Sequence, residues 1–177
     1  MVELAMVALM LLTLAAAAFD LGMAWRSGLA TNESVRTGAR VASAMGSDRL
    51  ADYYALSGAK SALAASGKLD DVQRVVIYRS TAVNGQVPAS CTAATPSGSC
   101  TVLSGAQLRS AFTTASFDAQ GCFTGAAVKA WCPTTRNNVQ LTADYFGIWI
   151  QIRHSYAFPI LGAGTNVARD AVMRLEP

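Results

Sequence analysis

This chain of 177 residues has only one histidine and no closely spaced pair of cysteines. Zinc sites need close ligand pairs such as Cys-x-x-Cys, usually with histidine, and here one histidine accompanies four widely spaced cysteines. No Gly-rich phosphate loop follows a strand, and no nucleophile motif stands near the histidine. The adjacent acids Asp70 and Asp71 occupy a predicted helix-to-strand turn, where Asp is common for conformational reasons. The sequence therefore predicts no enzyme, no metal site and no cofactor.

Charge is also scarce, because only 14% of the residues are charged against about 25% in typical soluble domains. The net charge is +3, and the 14 Lys and Arg residues form no run or stripe. This pattern indicates no nucleic-acid partner. Apolar residues make up 52% of the chain, which is long enough for one domain with a core, or for a small domain with an appendage.

The first 25 residues form an apolar run that contains two charged side chains, Glu3 and Asp20, both acidic. Between Leu4 and Phe19 the only polar residue is Thr13. A helix from Leu4 to Trp25 would be about 33 Å long, close to the thickness of the hydrocarbon core of a bilayer. Trp25 followed by Arg26 is typical of a membrane interface.

Three interpretations of this segment compete. A cleaved signal peptide should begin with basic residues and end in a small-residue site, whereas this segment begins with an acid and continues helically. An ordinary anchor would place the arginines that follow, and the cysteines with them, in the cytoplasm by the positive-inside rule. The third interpretation is a pilin-type helix, which sits in the membrane first and later packs against copies of itself in a filament.

The two acids have a role under the third interpretation. A carboxylate at bilayer depth costs about 2.5–3.5 kcal/mol unless it is paired. For Glu3, the natural partner in a filament is the N-terminal ammonium of a neighbouring subunit, and this pair would fix the register of assembly. The alternative is a Glu3 that lies at the headgroup level. Asp20 is expected to lie at the interface or to pair across subunits.

Periodicity predicts an α+β fold. The apolar helix continues amphipathically to about residue 45, where Gly46 ends it, and Ser47 or Asp48 begins a second helix that Gly67 closes. We therefore divide the chain into an N-terminal helix, residues 1–46, and an extracellular globular domain, residues 47–177. A small antiparallel sheet should pack against the C-terminal half of the long helix, with disulfide-bonded loops outside.

Two segments have the composition of strands. Val72–Ser80 is β-branched and aromatic, and a tight turn at Asn84-Gly85 follows it. In "FGIWIQIRHSYAFP" the alternation from Ile148 to Phe158 indicates a half-buried strand packed on a helix, ended by Pro159. His154 falls on its apolar face, where a lone histidine is more often structural than a ligand.

Four cysteines, Cys91, Cys100, Cys122 and Cys132, lie in one polar, loop-rich stretch. An even number in such a stretch indicates disulfides and an oxidising compartment. Of the three possible connectivities, we favour Cys91–Cys100 with Cys122–Cys132, because each bond then closes a short loop. The spacing alone leaves the other two open.

Three segments together resemble the TadE-like pilins of tight-adherence (Tad) pili, in the type IV filament superfamily. They are "VELAMVALMLLTLAAAAFDLG" at the start, "SVRTGARVAS", and the terminal "IRHSYAFPILGAGTNVARDAVMRLEP". The resemblance implies a short basic leader cut by a prepilin peptidase, and an inner-membrane platform driven by an ATPase. In the family the glutamate usually stands at the fifth mature position, and here it is residue 3. We therefore expect a leader and further residues to precede this sequence.

From these features we expect a structural pilin or minor pilin that polymerises through its N-terminal helix, with a role in adhesion or surface attachment. Its partners would be copies of itself, other pilins and the assembly machinery. It would reside in the bacterial inner membrane before assembly and on the cell surface afterwards. The alternative is a bitopic, membrane-anchored binding or secretion-accessory protein that forms no filament.

Overall fold

The computed structural model describes residues 2–158 and 162–177, and side chains from Met6 onward. Its main elements are helices α1 and α2 and an antiparallel sheet of five strands, to which two short helices are added. In chain order they are α1 Val2–Met45, α2 Ala51–Ala65, β1 Val72–Ser80, α3 Ala89–Thr92, β2 Cys100–Ser104, α4 Gly105–Arg109, β3 Val128–Lys129, β4 Tyr145–His154 and β5 Thr165–Arg174. The strand order is β3-β2-β1-β4-β5, with every neighbouring pair antiparallel. The predicted α+β architecture is thus confirmed.

Helix α1 is a single helix of 44 residues, and it packs on the rest of the chain only from Phe19 and Asp20 toward its C-terminus. Val35, Ala39 and Ala42 are fully buried on the face toward the sheet and α2. At Gly38 the two helices approach closely, since a Cβ there would lie 3.1 Å from the carbonyl oxygen of Ala55. Gly46 ends the helix as predicted: its φ is +55°, and its N–H donates to the carbonyl oxygen of Ala42 at 3.1 Å.

The sheet has a different cover on each face. Toward α1 and α2 it presents Val75 and Ile77 of β1 together with alternate residues of β4, and these form the main core with the helices. The opposite face carries a smaller cluster that includes Val76, Tyr78 and the bonded pair Cys91 and Cys100. The predicted alternation along β4 is therefore correct for Ile148, Ile150, Ile152 and His154, which are all buried.

Strand β4 ends at His154, four residues before the predicted end. The backbone N–H groups of Ala157 and Phe158 bond to Asp20 instead of continuing the sheet. The side chain of Phe158 is consequently 43% exposed, although the alternation placed it on the apolar face. The prediction that Pro159 stops the strand falls on residues 159–161, outside those described.

Three local predictions need correction. Helix α2 begins at Ala51, because the carboxylate of Asp48 accepts the N–H of Leu50 at 2.7 Å and forms a separate turn. The turn after β1 is closed by the N–H of Gly85 on the carbonyl of Ala82, so Asn84 is central and Gly85 is its last residue. The amphipathic pattern of α1 groups Leu29 with the apolar residues Val35, Ala39 and Ala42, but Leu29 is 56% exposed.

The cysteine-bearing stretch contributes more to the fold than the predicted loops. It contains strands β2 and β3 and the helix α4, whose N-terminus has a capping box between Ser104 and Gln107. Two 3-10 turns, Thr114–Ser116 and Pro133–Thr135, lie in the same stretch. Its rings Phe112, Phe117 and Phe123 pack edge to face with one another, and the first two also with Tyr53 of α2. These residues extend the main core.

Candidate functional site: the projecting helix and its junction with the domain

Residues 6–19 of α1, here called the projecting segment, extend beyond the domain with large apolar side chains exposed on every side. Leu9 is 67% exposed, Leu12 69% and Leu14 57%. Successive residues of a helix point about 100° apart, so exposure of neighbours means that no face is covered. Within the described residues, the helix from Met6 to Met45 is long and apolar enough to cross a membrane, its most apolar window having a mean hydropathy of 2.0. Only 6% of that window is buried inside the molecule, unlike a core helix of a soluble domain.

The projecting segment meets the domain at Asp20, whose side chain is 1% exposed. Its Oδ1 accepts the backbone N–H of Ala157 at 2.8 Å, and its Oδ2 accepts that of Phe158 at 3.0 Å. The rings of Phe19 and Phe158 meet edge to face, with centroids 6.2 Å apart. These four residues, called the junction below, fasten the start of the β4–β5 connection to α1.

The two predicted assembly residues, Glu3 and Asp20, differ in what the structure describes of them. The carboxylate of Asp20 is used within its own chain, by the two backbone amides of the junction. A role for Asp20 between subunits therefore stays a prediction. Glu3 lies in α1, but its side chain is outside the described residues, and its role in register also stays a prediction.

Small polar residues line the face of α1 that packs on the domain. Ser34 donates to the carbonyl oxygen of Ala59 in α2 at 2.9 Å, and Ser43 donates to that of Arg174 at the end of β5. Thr31 donates to the carbonyl oxygen of Ser27 within the helix at 2.8 Å. The sequence signal was the repeat of Ser, Thr and Gly every three or four residues, which a search for apolar periodicity alone overlooks.

His154 is buried against this face, 4% exposed, with its Nδ1 3.1 Å from the hydroxyl of Ser27. That hydroxyl also lies 3.0 Å from the carbonyl oxygen of Met23. The Nε2 of His154 has no hydrogen-bond partner among the described residues. The histidine is thus held at one nitrogen, on the strand face where the sequence placed it.

Both disulfides join the cysteines in the pairing that the sequence favours, Cys91 with Cys100 and Cys122 with Cys132. Cys91 and Cys100 are buried against the outer face of the sheet. The hydroxyl of Thr101 in β2 lies 3.5 Å from the sulfur of Cys122, so the second bond holds its loop against the same strand. Disulfides persist in oxidising compartments, which agrees with a domain outside the cytoplasm.

A buried ion pair that the sequence did not predict joins α2 to the segment that follows the second disulfide. The guanidinium of Arg136 lies 2.6 Å from the carboxylate of Asp52, and both side chains are at most 1% exposed. Arg136 also stacks over the rings of Trp131 and Phe146, with 4.4 Å and 5.0 Å from its Cζ to the two centroids. Burial raises the pKa of the Asp52 carboxyl above its ordinary value of 3.8, and the charge of Arg136 only partly offsets this. The residues stand 84 positions apart, so nothing local in the sequence connects them.

The adjacent acids Asp70 and Asp71 lie in the turn before β1, as the sequence predicts. Asp71 accepts from the ammonium of Lys68 at 3.1 Å, and its carbonyl oxygen accepts the N–H of Arg153. Across the described residues, no three His, Cys, Asp or Glu side chains converge in a way that could hold a metal ion.

The fold and the junction define a class of protein, an α+β domain closed by disulfides and carried on one apolar N-terminal helix that could cross a membrane. Comparison with protein families narrows the class: the model of the family described as TadE-like protein matches residues 1–40. No curated protein matches the chain, and no solved structure does. The helix is thus similar to that of TadE-like proteins, as the sequence resemblance indicated, and the match associates the chain with Tad pili. It covers α1 alone, so the resemblance at the C-terminus stays a prediction.

Proposed function

We propose that this chain is a structural subunit of a Tad pilus, a pilin or minor pilin that polymerises through α1 and displays the domain outward. A role in adhesion or surface attachment follows from that display. The observation that carries the proposal is the exposure of apolar side chains all around the projecting segment. Burying one such side chain is worth about 1.5–3 kcal/mol, so a segment of this kind is stable only in lipid or against other apolar helices.

The outer surface of α1 has a feature suited to helix packing. Ala8, Ala15 and Gly22 stand seven residues apart, all exposed. Apart from the adjacent residues and the backbone of its own helical turn, nothing in the described part of this chain lies within 4 Å of a Cβ placed at Gly22. Seven residues are close to two helical turns, so the three positions share one face. Small residues on such a face allow helix backbones to approach closely where lipid provides no hydrophobic driving force. This face suits contact with α1 of a neighbouring subunit.

The remaining partners follow from the family resemblance and belong to the same proposal. Before assembly the chain resides in the bacterial inner membrane, where a prepilin peptidase trims it and an assembly platform receives it. During assembly Glu3 pairs with the N-terminal ammonium of the next subunit and sets the register. In the pilus, residues 1–46 form the core, and residues 47–177 form the surface.

The test is whether filaments sheared from cells contain the chain, by electron microscopy with mass spectrometry of the sheared material. Gly22→Leu should abolish filaments without affecting membrane insertion, because it fills the small-residue face and touches nothing in its own chain. Leu11→Ile is the matched control, since it changes an exposed apolar residue without adding volume, and it should assemble normally. Filaments that form equally well with Gly22→Leu would contradict the packing face.

One observation favours a second candidate, a bitopic membrane-anchored protein with a binding or secretion-accessory domain. The junction holds the domain directly on the end of the projecting segment, as an anchored domain would require. In that case sheared filaments would lack the chain, all of it would remain in the membrane fraction, and surface appendages would persist after its deletion.

A further inference from the structure

Two adjoining depressions flank the junction, and neither has an occupant of known function. One is a polar cavity of about 200 Å³ between α1, the turn before β1 and the end of β4. The other is an apolar groove of about 520 Å³ along the projecting segment, beneath Phe158. The cavity is lined by Phe19, Asp20, Met23, Lys68, Asp71 and His154, and the groove by Leu12, Thr13, Ala15, Ala16, Phe19 and Phe158. Phe19 lines both, so the two depressions adjoin at its ring.

The polar cavity is lined by one buried ring nitrogen without a hydrogen-bond partner in the described part of the chain, and by a pair of opposite charges. His154 is 4% exposed, and its Nε2 finds no hydrogen-bond partner among the described residues. A buried polar atom left in that state costs about 1–3 kcal/mol, which a polar ligand in the cavity would remove. Lys68 and Asp71 lie opposite, 3.1 Å apart, with side chains 19% and 36% exposed. Asp20 has both oxygens occupied by backbone amides and is not available.

Polarity is ordered along α1 in a way that indicates the kind of ligand. The apolar groove begins at Leu12, toward the N-terminus and therefore toward the middle of a membrane that α1 would cross. The polar cavity lies at Asp20 and Met23, about 12–16 Å further along the helix. A phospholipid has the same arrangement, with an apolar acyl chain followed at a similar distance by a charged headgroup.

We propose that the groove and the cavity together hold one phospholipid, with an acyl chain along the groove and the headgroup in the cavity. The cavity presents both signs of charge, which fits a zwitterionic phosphoethanolamine headgroup. Because the Ser27 hydroxyl donates to Met23, Nδ1–H of His154 donates to Ser27 and Nε2 is left as an acceptor. The phosphate accepts from Lys68, and the ammonium donates to Nε2 of His154 and to Asp71.

The lipid fixes the tilt of the domain on the membrane surface. The inference concerns the chain while α1 is in a membrane, a state that both functional candidates share. Ala15 lines the groove and also belongs to the face proposed to pack in a filament, so the lipid is held before assembly.

The groove is tested by filling it in the full chain, purified in detergent and analysed by native mass spectrometry with added phosphatidylethanolamine. Ala16→Trp fills the groove, and Ala18→Trp is its matched control, because Ala18 is exposed on the other side of the helix and lines neither depression. Retention of one lipid should fall at least about tenfold in Ala16→Trp relative to Ala18→Trp. Equal retention by the two variants would overturn the proposal.

The cavity is tested through His154, which is the only histidine and so gives an unambiguous nitrogen NMR signal. Titration of the micellar chain with a short-chain phosphatidylethanolamine should shift the Nε2 resonance saturably. Lys68→Gln should weaken this binding several-fold, whereas the distant Lys129→Gln should not. An unshifted histidine would overturn the cavity as the headgroup site. Tighter binding of phosphatidylglycerol than of phosphatidylethanolamine would overturn the zwitterionic assignment.

Discussion

The carboxylate of Asp20 accepts the backbone N–H of Ala157 at 2.8 Å, across a separation of 137 positions in the chain. A second bond, from Phe158, engages the other oxygen. One acid in an apolar helix thereby fixes where the domain sits along that helix. The free-energy cost of placing the Asp20 carboxylate in an apolar helix is reduced, because the backbone N–H groups of Ala157 and Phe158 donate to it.

Removing that carboxylate should release the start of the β4–β5 connection. Asp20→Ala eliminates both bonds, and hydrogen bonds to charged groups contribute about 1.5–3 kcal/mol, so we expect a loss of at least about 2 kcal/mol in unfolding free energy. The measurement is hydrogen exchange at Ala157 and Phe158, whose protection should disappear. Asp20→Asn retains one acceptor oxygen and should lose about half as much. Unchanged protection in Asp20→Ala would show that the ring contact of Phe19 with Phe158 alone holds the connection.

Glu3→Gln tests the predicted register pair while preserving the size of the side chain. If Glu3 pairs with a neighbouring N-terminal ammonium, the charge-neutral variant should insert into the membrane normally but assemble few or no filaments, because the pairing charge is lost. The readout is the amount of chain in sheared filaments relative to the membrane fraction. Glu33→Gln is the control, since Glu33 is an exposed acid in the C-terminal half of the same helix. Normal assembly of Glu3→Gln would remove the register role.

The buried pair of Asp52 and Arg136 should be far more costly to break than to replace. Asp52→Leu or Arg136→Met alone leaves an unpaired buried charge, for which about 3–5 kcal/mol of destabilisation is typical. The double variant leaves no charge and should recover most of that loss. Denaturant unfolding of the four proteins in a double-mutant cycle measures the coupling. Additive losses would mean that the two groups do not act as a pair.

Tyr78 should make the fold sensitive to alkaline pH. Burial, and then the negative charge of Asp170, whose carboxylate accepts the Tyr78 hydroxyl at 3.1 Å, raise the pKa of Tyr78 above its ordinary value of 10.0. Because the folded state retains the proton more strongly than the unfolded state, this contribution to stability is complete below pH 10 and is lost as pH rises further. The unfolding free energy should then fall by up to about 1.4 kcal/mol per pH unit more than in Tyr78→Phe.

The control for that measurement is Tyr54→Phe, because Tyr54 is 45% exposed on α2. This variant should follow the wild-type dependence on pH. A Tyr78→Phe protein with the same alkaline slope as wild type would contradict the assignment to Tyr78.

Local patterns in the sequence were sufficient for the elements whose burial repeats regularly. The alternation from Ile148 to His154 and the stop at Gly46 depend on neighbours in the chain, and both predictions agree with the structure. Strand β5 was not assigned, because Thr165–Arg174 mixes Arg and Asp with half-buried residues and pairs only at the edge of the sheet. Its strand state is imposed by ten paired positions along β4.

The candidate site was predictable only in part, for a related reason. The apolar composition of the projecting segment is visible in the sequence, and so is the unusual position of Asp20. The partners of Asp20 are backbone N–H groups, which every residue except proline has, so no side-chain pattern marks them. Arg136 and Asp52 lie 84 positions apart, and their contact exists only once the segment after Cys132 has folded against α2.

The placement of the two disulfides has a mechanical consequence. All four cysteines lie in the domain, each bond closes a loop there, and neither reaches α1. A pull on the far end of α1 is therefore resisted, at the junction and along the packed part of the helix, by hydrogen bonds and packing alone, while the loops of the domain are cross-linked. Under tension α1 should separate from the sheet first, and the disulfide-bonded loops should remain folded. The chain would then lengthen without breaking, and it could recoil once the load is gone.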